Sequence, residues 1–212
     1  MKKGIILQGP VSEWTVDIVN EYKENFEDTV ILLSTWTNEN ITNVACDYIQ
    51  IVPPEPTYPH NSNINHQILG AKKGINKIDA DVVLKTKTDQ FIHNNQIFDI
   101  FEKNCPKHKI MTTDLNSWSD RDYRISDFCQ LATKNVLQDY WNNIPLFDGS
   151  YAIAPEVYLT KNYVVNFKKD SRPWNEIVNE YFFIRDYLKD FKILFQKFIE
   201  DDDKQDWFEK MI

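Results

Sequence analysis

A single apolar run limits most strongly what this chain can fold into. Val82, Val83 and Leu84 form the run, and Asp89 follows it after four polar residues. A short, continuous, β-branched run is typical of a strand that is buried on both faces of a parallel sheet. In such sheets, ligands bind beyond the carboxyl ends of the strands. The run therefore predicts a central strand with Asp89 at the ligand-binding edge.

Similar runs alternate with helical patterns along the chain. Residues 4–8 and 29–34 are short and apolar, and residues 12–26 between them carry apolar side chains at helical spacing, with Ser12 as the predicted N-cap. A strand, a helix and a second strand in this order form a βαβ unit. We predict an α/β fold with a mostly parallel central sheet flanked by helices, in which residues 1–212 form a single domain.

The C-terminal part of the chain has a pattern of its own. Apolar residues recur at helical spacing over residues 174–199, which predicts a long amphipathic helix. We expect residues 170–212 to form a helical segment that packs on the domain. A role of this helix in dimerisation, or in docking near a membrane-bound acceptor, is the alternative.

Charge limits the class of partner. The chain has 24 Lys and Arg residues against 32 Asp and Glu residues, which gives a net charge of -8. A non-specific nucleic-acid binder needs a basic surface, so we expect no nucleic-acid partner. An acidic protein that binds a diphosphate needs local lysines or a metal ion. The charge therefore makes a metal-assisted site the first expectation.

Two features predict a cytoplasmic protein that touches a membrane at most from its surface. The three cysteines are scattered, without a CxxC spacing, which fits a reducing compartment. The first apolar run is too short for a signal peptide or a membrane span, so we expect no transmembrane segment.

Polar groups and an indole end the first two predicted strands, and amides begin the helix before Val82. Because the carboxyl ends of parallel strands share one edge, these groups should lie near Asp89. Amides and hydroxyls suit a base and a ribose, an indole can stack on a base, and helix starts favour phosphate. Each group taken singly also fits a turn, a helix cap or a core side chain. The predicted nucleotide-sugar site consists of Gln8, Gly9, Pro10, Ser34, Thr35, Trp36, Asn65, His66, Lys85 and Lys87.

Asp89 is the predicted metal ligand. A carboxylate can bind Mn²⁺ or Mg²⁺, which take their remaining ligands from substrate phosphate oxygens. The ion would stabilise negative charge on a departing diphosphate. The alternative is a loop aspartate that caps the next helix. Asp79 and Asp81 form a literal DxD tripeptide, but they precede the strand and should lie at its opposite end.

Three carboxylates are candidates for a catalytic base. A sugar transfer with inversion needs a carboxylate that accepts the proton of the acceptor hydroxyl. Asp127, Asp148 and Glu156 all qualify, and the sequence leaves the choice between them open. The GxSxG, Walker A and GxGxxG patterns are absent, and a total of five glycines argues against a glycine-rich phosphate loop.

Several blocks together resemble a known family. The apolar strand that ends at Asp89 resembles the strand-then-DxD core of GT-A glycosyltransferases, which have a Rossmann-like sheet. Four blocks, at residues 6–10, 31–36, 63–67 and 84–90, are similar to the WavE family of lipopolysaccharide-synthesis glycosyltransferases. Residues 126–128 and 155–159 look like later blocks of the same family.

The resemblance implies a metal-dependent hexosyl- or deoxyhexosyltransferase. It would use a UDP-sugar donor and a glycan acceptor of a cell-envelope polysaccharide or glycoprotein. Asp89 matches the metal-binding last Asp of DxD, Glu156 falls near the family's catalytic base, and Asp127 lies in a segment that contacts donor sugar or acceptor. Lys87 replaces the first Asp of DxD, and His66 stands where the family often has Arg. The chain is short for the family, which leaves room for an additional domain or chain that supplies the acceptor site.

Two other functions remain open. A sugar-1-phosphate nucleotidylyltransferase shares a similar core but needs a glycine-rich basic loop near the first strand, and residues 11–14 do not provide one. A catalytically silent nucleotide- or glycan-binding module would explain the missing first Asp of DxD and the short chain.

Overall fold

The computed structural model describes residues 1–118 and 121–196. The strands are β1 (Lys3–Gln8), β2 (Thr29–Trp36), β3 (Asp47–Ile51), β4 (Val82–Lys87), β5 (Gln90–Ile92), β6 (Ile110–Thr113), β7 (Gln130–Thr133), β8 (Phe182–Arg185) and β9 (Ile193–Phe195). The helices are α1 (Thr15–Asn25), α2 (Ile64–Lys77), α3 (Ile97–Asn104), α4 (Lys134–Asn142), α5 (Pro155–Lys161) and α6 (Trp174–Tyr181). Two π-helices cover Asn162–Phe167 and Tyr187–Phe191.

Seven of the strands form one sheet in the order β3-β2-β1-β4-β7-β6-β8. Its pairings are parallel except for those of β7, which runs antiparallel to both β4 and β6. Apolar side chains on the two faces of the sheet pack under α2, α4, α5 and α6 on one side and under α1 and α3 on the other. The predicted α/β fold with a mostly parallel sheet flanked by helices is confirmed. Among the residues described, no helix is long and apolar enough to cross a membrane.

The strand order reverses at β1. The chain moves outward from β1 to β2 and β3, and it then returns to place β4 on the other side of β1. Such a reversal opens a crevice beyond the carboxyl ends of the two strands. Gln8, the last residue of β1, pairs with Ser34 on one side and with Lys87 on the other. Three predicted site residues therefore stand in one row at this crevice.

Helix α2 packs very closely on β1 and β2. A Cβ atom on Gly74 would lie 2.8 Å from Ile6 Cγ2 and 3.2 Å from Ser34 Cβ, so the contact requires a glycine. One turn earlier, the Ser34 hydroxyl donates a hydrogen bond to the Gly70 carbonyl at 2.8 Å. These contacts fix the start of α2 beside the crevice.

The predicted helix over residues 174–199 is wrong. Helix α6 ends at Tyr181, and the following residues form β8, which pairs parallel with β6 at the edge of the sheet. Phe182, Phe183 and Ile184 are consecutive aromatic and β-branched residues, which fit a strand better than a helix where a sheet edge is available. A π-helix and β9 follow, and residues 197–212 of the predicted helical segment lie outside the described residues.

Strand β9 returns to the turn that carries Asp89. It pairs antiparallel with β5, and the backbone N–H of Gln196 donates to the Asp89 carbonyl at 3.1 Å. The ring of Phe195 contacts that of Phe128 with 5.3 Å between centroids. A strand from the C-terminal part of the chain therefore holds one side of the crevice.

Candidate active site

A pocket of about 330 Å³ opens at the carboxyl ends of β1 and β4, and we call it the β1–β4 pocket. Small-molecule sites in proteins have volumes of roughly 300 to 1,000 Å³. The predicted site residues that line the pocket are Gln8, Gly9, Pro10, Trp36, His66, Lys87 and Asp89. Ser12, Asn63, Gln67 and Thr88 complete the lining.

The loop after β1 is tied to the turn after β4. Gly9 has a φ of 140°, and a Cβ atom there would lie 2.9 Å from Thr88 Oγ1, so the loop needs a glycine. The Thr88 hydroxyl donates to the Pro10 carbonyl at 2.5 Å, and the hydroxyls of Ser12 and Thr15 donate to the Thr88 carbonyl. The prediction that Ser12 caps α1 is wrong, because its hydroxyl makes this tie and no side chain caps the helix.

Two buried polar atoms in the pocket wall have no hydrogen-bond partner among the described residues. They are Nδ1 of His66 and Oε1 of Gln67, on consecutive residues in the first turn of α2. Burial lowers the pKa of His66, so its imidazole is neutral at neutral pH. The ring packs edge-on against Trp36 with 5.1 Å between centroids. Both residues also line the pocket, so the first turn of α2 brings an imidazole and an amide to its wall.

Two lysines of β4 surround Asp127. Lys87 Nζ lies 3.8 Å from Asp127 Oδ1 and 4.3 Å from the centre of the Phe128 ring. Lys85 is fully buried over the ring of Trp141, and its Nζ donates to the Asp127 carbonyl at 2.8 Å. Burial lowers the pKa of Lys85 to about 8. Burial raises the pKa of Asp127, but the two ammonium groups lower it, and the net direction is downward.

Asp89 lies in the turn between β4 and β5. Within residues 1–118 and 121–196, no three His, Cys, Asp or Glu side chains are grouped to hold a metal ion. Mg²⁺ needs fewer protein ligands, since it binds through one or two carboxylates together with phosphate oxygens and water. The single carboxylate of Asp89 therefore fits a metal that binds together with a diphosphate. Asp79 and Asp81 interact with Lys2 at the opposite end of β4, as predicted.

Four predicted binding residues are buried beneath the pocket wall rather than lining it: Ser34, Thr35, Asn65 and Lys85. Asn65 donates from Nδ2 to the Phe147 carbonyl at 2.9 Å and accepts at Oδ1 from the Phe147 N–H at 2.7 Å. Thr35 Oγ1 has no partner in the part of the chain that the structure describes. Ser34 therefore holds α2 on the sheet, and Asn65 holds the loop around residue 147.

Glu156 lies apart from the β1–β4 pocket. It is in the first turn of α5, and its Oε1 pairs with Arg124 Nη2 at 2.5 Å, with both side chains mostly buried. The pair joins the long loop after β6 to α5. Asp148, the third candidate base, lines a different pocket. The catalytic roles of Glu156 and Asp127 stay predictions.

Some residues of the site had a weak signal in the sequence or none. Ser12 and Thr88 are hydroxyl residues that directly flank predicted segments, and only this position in the sequence pointed to a role in the site. Arg124 and Phe128 come from the loop and turn before β7, and their partners depend on the antiparallel course of β7. A pattern of apolar residues gives no information on such contacts.

The fold, with its mostly parallel sheet and a pocket at the reversal of strand order, is similar to those of solved glycosyltransferases and nucleotidyltransferases. The fold is similar to TarS from S. aureus, with a TM-score of 0.54 and 10% identity over 88% of this chain and 35% of that one. It is also similar to a Bacillus anthracis protein assigned as a glucose-1-phosphate thymidylyltransferase, with a TM-score of 0.50 and 10% identity over 87% and 86% of the two chains. This chain thus spans about a third of TarS, and these similarities concern the fold.

Sequence comparison identifies the family. The WavE lipopolysaccharide synthesis family matches residues 4–211. The chain therefore belongs to the WavE family, as the resemblance of the blocks at residues 6–10, 31–36, 63–67 and 84–90 predicted. No curated protein sequence matches it significantly.

Proposed function

We propose that this protein is a glycosyltransferase that binds a UDP-sugar in the β1–β4 pocket and transfers the sugar to a glycan of a cell-envelope polysaccharide or glycoprotein. The observation that carries the proposal is the pocket of about 330 Å³ at the reversal of strand order, which His66, Lys87 and Asp89 line. A uracil or ribose offers donors and acceptors to the imidazole and amide groups of its lining. Membership of the WavE family supports the same reaction class.

Lys87 and Asp89 face the diphosphate in this proposal. The Lys87 ammonium forms a charge-assisted contact with phosphate oxygens. A Mn²⁺ or Mg²⁺ ion held by Asp89, diphosphate oxygens and water would neutralise the charge of the departing UDP. The loop at Gly9 brings its backbone close to the ligand. Lys87 thus supplies the positive charge at the position where GT-A enzymes usually have a second carboxylate.

The transfer step needs a carboxylate near the donor sugar. A hydroxyl oxygen of the acceptor forms a bond to the anomeric carbon, the bond from that carbon to UDP breaks, and the hydroxyl proton moves to the base. Asp127 contacts Lys87, which lines the pocket, whereas Glu156 is paired with Arg124. This proximity favours Asp127 as the carboxylate that meets the reacting sugar, and Glu156 as the tie between the loop after β6 and α5.

Calorimetric titration with UDP, with and without Mn²⁺, tests the donor site. We expect Mn²⁺ to tighten UDP binding in the wild type, and Asp89→Ala to remove this gain because the ion loses its protein ligand. Asp79→Ala is the matched control, since it removes an exposed carboxylate from the other end of β4. Equal affinity with and without Mn²⁺ in the wild type would contradict the role of Asp89.

The same titration separates the contribution of Lys87 to UDP affinity from that of the metal ion. Lys87→Met should weaken UDP binding about tenfold even without Mn²⁺, because a contact between an ammonium and a phosphate contributes about 1.5 kcal/mol or more. Lys73→Met, on the exposed face of α2, should bind UDP like the wild type. If Lys87→Met retained full affinity, the lysine would not contact the diphosphate.

Assays of UDP-sugar hydrolysis and of sugar transfer show which carboxylate acts as the catalytic base. We expect Asp127→Asn to reduce the rate of UDP-sugar hydrolysis by about 10²-fold or more, which is the usual effect of losing a general base. Glu156→Gln should lower the melting temperature, because it leaves Arg124 without its anionic partner. The reverse result, with transfer lost only in Glu156→Gln, would restore Glu156 as the base.

A sugar-1-phosphate nucleotidylyltransferase remains the second candidate, because the Bacillus anthracis protein has a similar fold. It would release pyrophosphate from UTP and a sugar 1-phosphate. A pyrophosphate-release assay with glucose 1-phosphate decides between the two. We expect no release, since the loop after β1 is tied to Thr88 and carries a single glycine. UDP binding without any turnover would indicate a catalytically silent module.

A further inference from the structure

A second pocket, of about 460 Å³, is formed by the loop after α4, by α5 and by the π-helix that follows it, and we call it the aromatic pocket. Its apolar wall includes Phe147, Tyr151 and Tyr158, and its polar rim includes Asp148, Lys161 and Asn162. The Phe147 ring contacts Tyr151 at 5.4 Å and Tyr158 at 5.1 Å between centroids. Nothing in the proposed donor site uses these residues.

The chemistry of the aromatic pocket fits a saccharide. A sugar ring has C–H groups that pack on an aromatic face, and hydroxyls at its edge that need donors and acceptors. Tyr151 is 48% exposed, so one large ring is available for packing. Asp148 Oδ1 accepts two hydrogen bonds from Ser150, and these lower the pKa of its carboxyl, so the rim carries an anionic acceptor at neutral pH.

The rim of the pocket also has an unusual backbone. Asn162 opens a π-helix directly after α5, and its Nδ2 donates to the Tyr158 carbonyl at 2.9 Å. Its Oδ1 accepts from the amide of Asn166 at 2.7 Å, and Asn166 lines the same pocket. Short π-helices occur frequently at functional sites. The amides are therefore held in place at the rim before any ligand binds.

The first turn of α2 links the two pockets through Asn65. Asn65 holds Phe147 through two hydrogen bonds, and the next two residues, His66 and Gln67, line the β1–β4 pocket. The first turn of α2 therefore connects the Phe147 wall of the aromatic pocket with a wall of the β1–β4 pocket. Tyr158 fixes the same loop, because its hydroxyl donates to the Pro145 carbonyl at 3.1 Å.

From these contacts we infer that the aromatic pocket binds the glycan acceptor, with one saccharide ring packed on Tyr151 and its hydroxyls at Asp148 and Asn166. The inference rests on the proposed glycosyltransferase function, and it names a saccharide as the acceptor. The pocket thereby supplies an acceptor site within this chain.

Ligand-observed saturation-transfer NMR tests the inference with two probes, maltotriose and the oligosaccharide released from lipopolysaccharide by deacylation. We expect transfer to ring C–H protons of at least one probe, and a several-fold loss of that transfer in Tyr151→Ala and in Asp148→Asn. Tyr48→Ala is the matched control, because Tyr48 is 54% exposed on β3 and lines a different pocket. No transfer from the wild type to either probe, or equal transfer in Tyr151→Ala, would overturn the inference.

Adding saturating UDP shows which of the two pockets the saccharide occupies. We expect the saccharide signal to persist when UDP fills the β1–β4 pocket, and its displacement by UDP would overturn the inference because the saccharide would then occupy the donor site. The failure of the proposed function looks different. In that case the wild type would not bind UDP in calorimetry, while the saccharide signal and its dependence on Tyr151 would remain.

Discussion

Lys85 and Lys87 show how one strand gives two lysines different roles. Both lie on the same face of β4, and both approach Asp127, but Lys87 lines the β1–β4 pocket and Lys85 is fully buried. Buried ammonium groups are costly unless they are paired, and Lys85 has the Asp127 carbonyl and the Trp141 ring. Its positive charge offsets the negative charge of Asp127 in a part of the protein that water does not reach.

The low pKa of Lys85 predicts a pH-dependent stability. Its pKa is about 8 in the folded protein and 10.5 ordinarily, so between these values the unfolded chain binds more protons. The contribution of Lys85 is therefore fully present above the unfolded pKa and is lost as the pH falls through 8. Relative to Lys85→Met, the wild type should gain about 2 kcal/mol in free energy of unfolding between about pH 7 and about pH 9.5.

Chemical denaturation of both proteins at several pH values measures this difference. Lys73→Met serves as the control, because Lys73 is exposed on α2 and its removal should leave the pH profile unchanged. A constant difference between the wild type and Lys85→Met across this range would mean that Lys85 stays protonated in the folded protein.

At the scale of single elements, α2 connects the sheet with both pockets. Its glycines pack on β1 and β2, its first turn lines the β1–β4 pocket, and Asn65 holds the loop of the aromatic pocket. The position of the site therefore depends on how closely α2 approaches the sheet. Any side chain that separates them should act on stability and on ligand binding together.

Gly74→Ala tests this dependence. Alanine normally stabilises a helix by up to about 1 kcal/mol relative to glycine. Here its Cβ would lie 2.8 Å from Ile6 Cγ2, and overpacking costs about 1 to 3 kcal/mol, so we expect a net loss of stability. UDP affinity should fall as well, because His66 and Gln67 move with the helix. Thermal unfolding and UDP calorimetry measure the two effects.

Lys73→Ala provides the comparison for Gly74→Ala, since it places the same residue type on the exposed face of α2. It should be neutral or slightly stabilising. If Gly74→Ala were more stable than the wild type, the contact with Ile6 would have to be adaptable, and α2 would not set the position of the site.

The elements also show how much of the fold could be predicted from the sequence. Strands β1, β2 and β4 were predictable because short apolar runs in a parallel sheet have few other environments, and the row of Gln8, Ser34 and Lys87 follows from their ends. The structure of residues 182–195 was not predictable, because aromatic residues at mixed spacing fit either a helix or a strand when the position of a sheet edge is unknown. The pair of Arg124 and Glu156 depends on loop contacts that no periodic pattern encodes.

At the scale of the whole molecule, strand pairing and burial are greatest at the centre of the sheet. Strand β1 is paired on both sides, and Ile5, Ile6 and Leu7 are completely buried. Among the described residues, β8 pairs with β6 alone at the sheet edge, and most of its residues are half-buried. The β1–β4 pocket thus combines a floor of fully paired, buried strands with a side formed by less buried strands from the C-terminal part of the chain.

Native-state hydrogen exchange measured by mass spectrometry tests this distribution. We expect the amides of β1 and β4 to exchange only through global unfolding, and those of β8 and β9 to exchange faster through local opening. Saturating UDP should slow exchange at Gln90 and Phe91 in β5, next to the Asp89 turn. Equal protection of β8 and β1 would mean that the C-terminal elements unfold together with the central sheet.

The pairing of β9 with β5 also affects the order in which the protein is completed during synthesis. A ribosome delivers β1, β2 and β4 early, and these strands can pair as soon as they emerge. The turn of Asp89 lacks its contacts with β9 and Gln196 until those residues are translated, which is much later. A partly synthesised chain can therefore have its central sheet and still lack the strand that holds one side of the pocket.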